Sequence, residues 1–345
     1  MMDKEQIPPC SEVIELLSPA DQAEISFLTQ EQKDFFSDPN RFIPHDPELK
    51  PREIDLTFPG KAIFRWNVQG DSQLQISEDP DFSVFRLYPG KNNQAEISNL
   101  MPGKQYFWRV KTEHTLSEVR RFTVAPDHPR WVNIPNVTNC RDIGNWKTAD
   151  GKKIRAGMIY RGAQFESETE GNVIFITPDG KRCFTEELHI KTELDLRGEE
   201  IKSFSPAEKI YPFPLSAYAS WGGYGVFTAE QMEYYRQIFE LFADPEIYPV
   251  YFHCAGGGDR TGTLAFMLEA VLGLDYETLL TEYELSNLSV SGERTRFSEV
   301  WKKFMEKLET LSPGGSIHEQ VREYLHQCGI PDETLEKIRS ILLEP

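Results

Sequence analysis

The chain has 345 residues and a mass of 39.8 kDa, and 39% of its side chains are apolar, 12% aromatic and 27% charged. That is enough for two cores of ordinary domain size, and it excludes wholesale disorder, collagen-like repeats and low-complexity composition. Fifty-five acidic residues against thirty-seven basic ones leave a net charge of −18, which argues against nucleic-acid or anionic-membrane binding through a broad basic face.

The opening MMDKEQIPPC lacks the basic-then-apolar order of a secretory signal, and no apolar run is long enough to span a membrane. The expectation is a soluble, cytoplasmic chain; export to a periplasm stays open if a leader was removed. Residues 1–50 carry eleven acidic and four basic side chains, and eight of the 23 prolines fall within the first sixty residues. This predicts an irregular lead-in with one short helix.

Over residues 51–126 the period becomes two, in Ala62–Val68, Leu74–Ser77, Val84–Leu87 and Tyr106–Val110, separated by turn residues such as Pro89-Gly90 and Pro102-Gly103. This predicts an antiparallel all-β sandwich. Within it, Leu100 to Tyr106 followed by Trp108-Arg109-Val110 resembles the tyrosine corner of fibronectin type III domains, which implies a spacer or packing module whose partner the sequence leaves unknown. Residues 126–136 read as a linker. Residues 127–345 then mix short buried strands (Thr192–Leu196, Pro249–His253) with helices (228–242, 261–272, 276–285, 293–311, 317–327 and 332–343), which predicts an α/β domain with a central, mostly parallel sheet flanked by helices.

The chemistry concentrates where the strand ending at His253 runs into Cys254-Ala255-Gly256-Gly257-Gly258-Asp259-Arg260-Thr261-Gly262-Thr263 and then the apolar helix from Leu264. A strand, a glycine-rich turn and a helix start form an anion cradle, because successive N–H groups converge without Cβ obstruction. That positive environment favours the Cys254 thiolate. Arg260 offers a planar fork suited to two phosphate oxygens. A thiolate facing a tetrahedral anion points to attack on phosphorus, with Ala255, Gly256, Gly257, Gly258 and Arg260 binding the substrate oxygens. A Walker loop would need a lysine here, and the glycine spacing does not fit a dinucleotide fingerprint.

His-Cys-x5-Arg-Thr is the signature of cysteine-dependent phosphatases, and HCAGGGDRTG resembles the loop of atypical bacterial protein-tyrosine and dual-specificity phosphatases. Asn139-Cys140-Arg141-Asp142-Ile143-Gly144, Thr148-Ala149-Asp150-Gly151, Arg155 to Gly162 and Leu194-Asp195-Leu196-Arg197 follow that family's other segments in order. The resemblance covers residues 131–345. It implies an α/β cysteine-phosphatase domain, no cofactor, and a phosphorylated protein or small phosphomonoester as partner. One departure is Gly258, where the family carries a lysine; its absence favours a compact phosphotyrosine-like group over a polyanionic inositol phosphate or phosphoinositide.

The leaving oxygen needs a proton and the second step needs a base. Residues 211–243 contain no aspartate, and the resemblance assigns the role to Asp259, with an ion-pair partner for Arg260 as the bland alternative. Asp195 is the runner-up, or else holds Arg197 or Arg161. Thr261 fits a hydroxyl bonded to the Cys254 sulfur. His253 is expected to orient the loop, and Arg141, Asp142, Tyr160, Arg161 and Arg197 to support it from beneath. Tyr218, Trp221 and Tyr224 mark an aromatic, glycine-rich stretch suited to a lid. The five cysteines form no CxxC pair and the histidines have no metal-ligand spacing, so neither a disulfide framework nor a metal is expected. The expected activity is a protein-tyrosine, or dual-specificity, phosphatase using a cysteinyl-phosphate intermediate. The alternatives are an inositol-phosphate or phosphoinositide phosphatase, and a catalytically idle phosphate-binding or adhesion protein.

Overall fold

Alternation along the strands organises the first part of the chain. In Ala62–Asn67 every second side chain is buried (Ala62, Phe64, Trp66), and in Gln105–Lys111 so are Tyr106, Trp108 and Val110. The computed structural model, which describes residues 13–38, 54–169, 172–198, 203–290 and 294–345, closes these faces on each other. Strands β1 (Glu15–Ser18), β3 (Ala62–Asn67) and β6 (Gln94–Ile97) make an antiparallel sheet. Strands β2 (Ala23–Ile25), β4 (Gln73–Ser77), β5 (Arg86–Pro89), β7 (Gln105–Lys111) and β8 (Arg120–Val124) make a second sheet in the order β2-β8-β7-β4-β5, parallel only between β2 and β8. One core lies between them, centred on Phe64, whose ring meets Trp108 and Phe122 edge-on at 5.1 and 5.3 Å.

Two expectations are corrected here. The lead-in is not simply irregular, because β1 and β2 belong to the sandwich: Ile14 and Leu16 bury themselves in its core. Its remainder, residues 1–12 with Cys10 and residues 39–50, lies outside the described residues. The strand expected over Val84–Leu87 starts at Arg86, and Val84 and Phe85 are exposed. Tyr106 closes the turn before β7 by accepting a hydrogen bond from Met101 N at 3.0 Å on its hydroxyl.

The chain divides into two compact units, residues 1–28 with 60–127 and residues 29–59 with 128–345. The second therefore includes the segment after β2, which opens with helix α1 (Gln30–Ser37), held by a capping box between Thr29 and Gln32. Its main sheet uses β9 (Arg130–Trp131), β10 (Arg141–Asp142), β11 (Ile159–Gly162), β14 (Thr192–Asp195), β15 (Lys209–Pro212) and β16 (Val250–His253), with β12 (Glu166–Thr169) and β13 (Asn172–Phe175) as a separate hairpin. The order is β15-β14-β16-β11-β10-β9, parallel from β15 to β11 and antiparallel beyond. Helices α2 (Pro178–Arg182), α3 (Ala229–Phe242), α4 (Arg260–Leu272), α5 (Tyr276–Glu284), α6 (Glu299–Glu309), α7 (Ile317–Gln327) and α8 (Asp332–Leu342) complete the α/β unit.

The expected linker at 126–136 is partly strand: β9 pairs with β10, and the Arg141 guanidinium lies 5.3 Å from the Trp131 ring centre. The helix expected from 293 starts at Glu299, where Ser298 caps it; Glu293 itself lies outside the described residues. Among the described residues no helix is long and apolar enough to cross a membrane. Removing the Tyr106 hydroxyl (Tyr106→Phe) leaves Met101 N without its partner, and chemical denaturation is expected to show a loss of about 1 kcal/mol.

Candidate active site

Strand β16 is covered on both faces, which is why Val-Tyr-Phe-His reads as a continuous buried run. Val250 and Phe252 join the core of α3, α4, α7 and α8, whereas Tyr251 joins a cluster with Phe165 and Phe184 on the other face. The same alternation puts Cys254 with the first cluster and stacks His253 edge-on against Phe165 at 5.0 Å. The strand lies between β14 and β11, with Asp195 and Gly162 in register with His253. The ends of three parallel strands therefore surround the turn into α4.

Four consecutive carbonyl oxygens of this turn are held by donors from outside it. His253 Nδ1 reaches the Cys254 oxygen at 3.2 Å, and Gln164 N donates to Ala255 O at 3.2 Å. Asn139 Nδ2 donates to Gly256 O at 3.1 Å, and Arg161 Nη2 to Gly257 O at 2.9 Å. In a trans peptide the N–H points opposite to the C=O, so the N–H groups of residues 255–258 are turned to the other side. Gly257 makes this possible: its φ is +70°, and a Cβ there would meet the Gly162 carbonyl carbon at 2.5 Å. Helix α4 begins directly afterwards, adding the N-terminal end of its dipole.

Beneath the turn lies a buried charge cluster. Arg161 and Arg141 each donate to one oxygen of Glu282 on α5, and Arg141 Nη1 also reaches Asn139 Oδ1 at 2.6 Å. Burial and the neighbouring Arg141 push the Arg161 guanidinium down to about 10. Burial works against the Glu282 carboxylate, but Arg141 and Arg161 outweigh it and hold its pKa below the usual range. Glu269 on α4, with neither oxygen hydrogen-bonded, is raised well above that range by burial and by Glu282. The two guanidinium groups share the single Glu282 carboxylate beneath the turn.

Asn139 ties a further segment to the turn. Its backbone N donates to Thr57 Oγ1 at 2.7 Å, Thr57 hydrogen-bonds Asp55, and the other Asp55 oxygen accepts from Ser289 Oγ at 3.0 Å. Asp142 does not reach the turn: it accepts from Gly144 N, Gly157 N and Arg130 at 2.7–2.8 Å and shapes the loops around β10. Tyr160, also buried, lies beside Arg130. Asp195 faces Arg197 through two side-chain bonds of 2.9 and 2.7 Å, and Arg197 continues to Glu166. Burial raises Asp195, but the Arg197 fork outweighs it and holds the carboxyl low. Of the alternatives for Asp195, the structure shows the partner of Arg197.

Arg260 stands at the first position of α4, with Nη1 3.2 Å from Leu196 O. Asp259 pairs not with Arg260 but with Arg294, whose Nε lies 2.7 Å from Oδ1 and whose Nη2 donates to Oδ2 at 2.9 Å. The expected bond from Thr261 to the Cys254 sulfur is not formed, since Thr261 Oγ1 is buried without a hydrogen-bond partner. Of the aromatic stretch, Tyr218 is buried and bonded to Tyr283, while Trp221 and Tyr224 are exposed, Trp221 with φ +55°. Glu193, Asp195 and His253 bring ligand-type atoms within 4.8 Å of one another. Their partners are already present, however: Glu193 Oε1 lies 2.7 Å from His253 Nε2, and Arg197 takes both Asp195 oxygens.

The sequence reading did not single out Gln164, Glu193, Glu282, Arg294 or Asp55, nor Asn139 for a role of its own. Glu282 carried a signal, a carboxylate among the apolar positions of α5; Arg294, thirty-five residues beyond Asp259, carried none.

Residues 132–344 match the model of a family described as the tyrosine phosphatase family. Among solved structures, the chain is similar to the core catalytic domain of the PP-IP phosphatase SIW14 from S. cerevisiae, solved in complex with citrate. The identity is 20%, the match covers 43% of this chain and 79% of that one, and the TM-score is 0.29. A search of curated proteins gives no significant match.

Replacing Glu282 by alanine leaves two buried guanidinium groups facing each other, and urea unfolding is expected to show a loss of about 3–5 kcal/mol. Asp195, whose pKa is lowered in the fold, contributes stability above the normal carboxylate range that disappears as the pH falls through its lowered value. A pH series of unfolding midpoints is accordingly expected to be flatter on its acid side for Asp195→Asn.

Proposed function

The chain belongs to the tyrosine phosphatase family, and from that premise we propose that it hydrolyses phosphate monoesters, with phosphotyrosine or a similarly compact group as substrate. The observation that carries this reading is the row of outward-held carbonyls at residues 254–257, which turns four N–H groups toward the side available to an anion. In the first step the Cys254 thiolate attacks phosphorus, the bond from phosphorus to the ester oxygen breaks, and Asp259 donates a proton to that oxygen. In the second, water attacks phosphorus as Asp259 takes its proton, the S–P bond breaks, and the thiolate and inorganic phosphate are released. The loop N–H groups, Arg260 and the α4 N-terminus stabilise the charge on the equatorial oxygens in both steps. Asp259 is preferred to Asp195 because its carboxylate lies in the turn itself and is part-exposed, whereas the Asp195 side chain is buried behind its two bonds to Arg197. An idle loop is disfavoured by the joint presence of Cys254, Asp259, Arg260 and Thr261.

An inositol phosphate or phosphoinositide is the second reading, and one observation favours it. The Arg294 guanidinium lies against Gly258, so the turn is not short of a cation although the loop has no lysine. We read the N-terminal sandwich as a fibronectin III-like spacer, on the strength of the Tyr106 corner bond.

The full chain is expected to hydrolyse p-nitrophenyl phosphate in the presence of a chelator. Cys254→Ser should lower turnover by more than about 10³-fold while still binding vanadate, and unchanged turnover would refute the assignment. Comparing kcat/KM on phosphotyrosine peptides with that on soluble inositol phosphates separates the two substrate readings.

A further inference from the structure

The backbone at Gly258 is not left-handed, so its conformation does not require glycine. The three atoms nearest to a Cβ built there all belong to the Arg294 side chain. That Cβ would lie 3.0 Å from both Nε and Nη2 of Arg294 and 3.2 Å from Cζ. The guanidinium therefore occupies the space that a side chain at 258 would enter, and from there Nη2 donates to Asp259 Oδ2 while Nε lies 2.7 Å from Oδ1 as an ion-pair contact. Arg294 is itself anchored. Its backbone N donates to Asn287 Oδ1, and Asn287 Nδ2 donates back to its carbonyl at 2.7 Å. Asn287 is 8% exposed and belongs to the short turn after α5 whose Ser286 also binds Asn139, the residue holding Gly256. The side chain of Arg294 is 15% exposed, against 38% for that of Asp259. Most of the pair's burial is thus on the arginine, and the carboxylate is the partner presented to solvent.

We propose that Arg294 is the positioning residue for Asp259, and that position 258 is glycine so that the Arg294 guanidinium can reach that carboxylate. This rests on the reading above that Asp259 transfers the proton. A lone aspartate at a helix N-cap rotates about two side-chain bonds. A guanidinium bonded to one oxygen and held against the other restricts that freedom. Lysine in place of Arg294 keeps the charge but not the planar guanidinium that lies against both oxygens.

The test uses the full chain with two probes, p-nitrophenyl phosphate, whose leaving group needs little protonation, and an alkyl phosphate, whose leaving group needs much. Arg294→Gln is expected to lower kcat on the alkyl ester by about 10²-fold, the cost of a misplaced catalytic group, with a much smaller change in KM. The loss on p-nitrophenyl phosphate should be clearly smaller, an asymmetry that general loosening of the fold does not produce. Arg294→Lys should fail to restore the alkyl-ester rate. Gly258→Ala, which alters no charge, should reproduce the same asymmetry by displacing the guanidinium, and adding it to Arg294→Gln should cost little more. Protection of Cys254 from iodoacetate by inorganic phosphate checks that each variant keeps its anion cradle.

Equal losses on both esters, full activity in Arg294→Lys, or additive effects of the two substitutions overturn the proposal. Asp259→Asn run in parallel separates the two readings. If it is impaired on the alkyl ester while Arg294→Gln is not, only the role of Arg294 falls; if Asp259→Asn turns over normally, the proton-transfer role and this proposal fall together.

Discussion

The direction in which four peptide units face is the constraint on which the catalytic unit depends. A glycine-rich turn can curl in many ways, and each exposed carbonyl left inside it would repel an anion. Here the oxygens of residues 254–257 are each taken by a donor outside the turn, namely a ring nitrogen of His253, the backbone of Gln164, the amide of Asn139 and the guanidinium of Arg161. Those donors stand where they do because β16 is flanked in register by β11 and β14. The parallel sheet is in this sense the instrument that points the N–H groups.

Holding Arg161 in that position is expensive in desolvation, and the surrounding charges reflect it. Its guanidinium and that of Arg141 share one carboxylate, Glu282, and burial raises the pKa of the neighbouring Glu269 well above the usual range. Two guanidinium groups thus sit below the turn in a chain whose overall charge is −18. The acidic balance describes the whole chain, while anion attraction is local and buried.

The catalytic unit is also not a simple C-terminal segment. Residues 29–59 precede most of the sandwich in the chain but belong to the second unit. Through Asp55 and Thr57 they reach Asn139, the Ser289 hydroxyl and the Val290 backbone N. Two hydrogen bonds thus separate Thr57 from the carbonyl of Gly256. A boundary drawn only at the change in strand period, near residue 127, would cut this segment away from the site it supports.

Much was legible before any coordinates. The alternation of Phe64, Trp66, Trp108 and Val110 announced a two-faced sheet, because a period of two has one physical cause. The loop from Cys254 to Thr261 announced anion chemistry, because strand, glycines and helix start are contiguous in the chain. What escaped was whatever depended on residues far apart in sequence. β1 and β2 are too short to show a period, β9 and β10 have two residues each, and Glu282 and Arg294 acquire meaning only beside Arg161 and Asp259. The amino-acid sequence by itself determined the Cys-x5-Arg spacing and the glycine-rich turn between a strand and a helix start, since these are local properties of adjacent residues. Only the tertiary structure decided how the two candidate carboxylates are paired, because that depends on Arg197 holding Asp195 and Arg294 reaching Asp259, contacts that form only on folding.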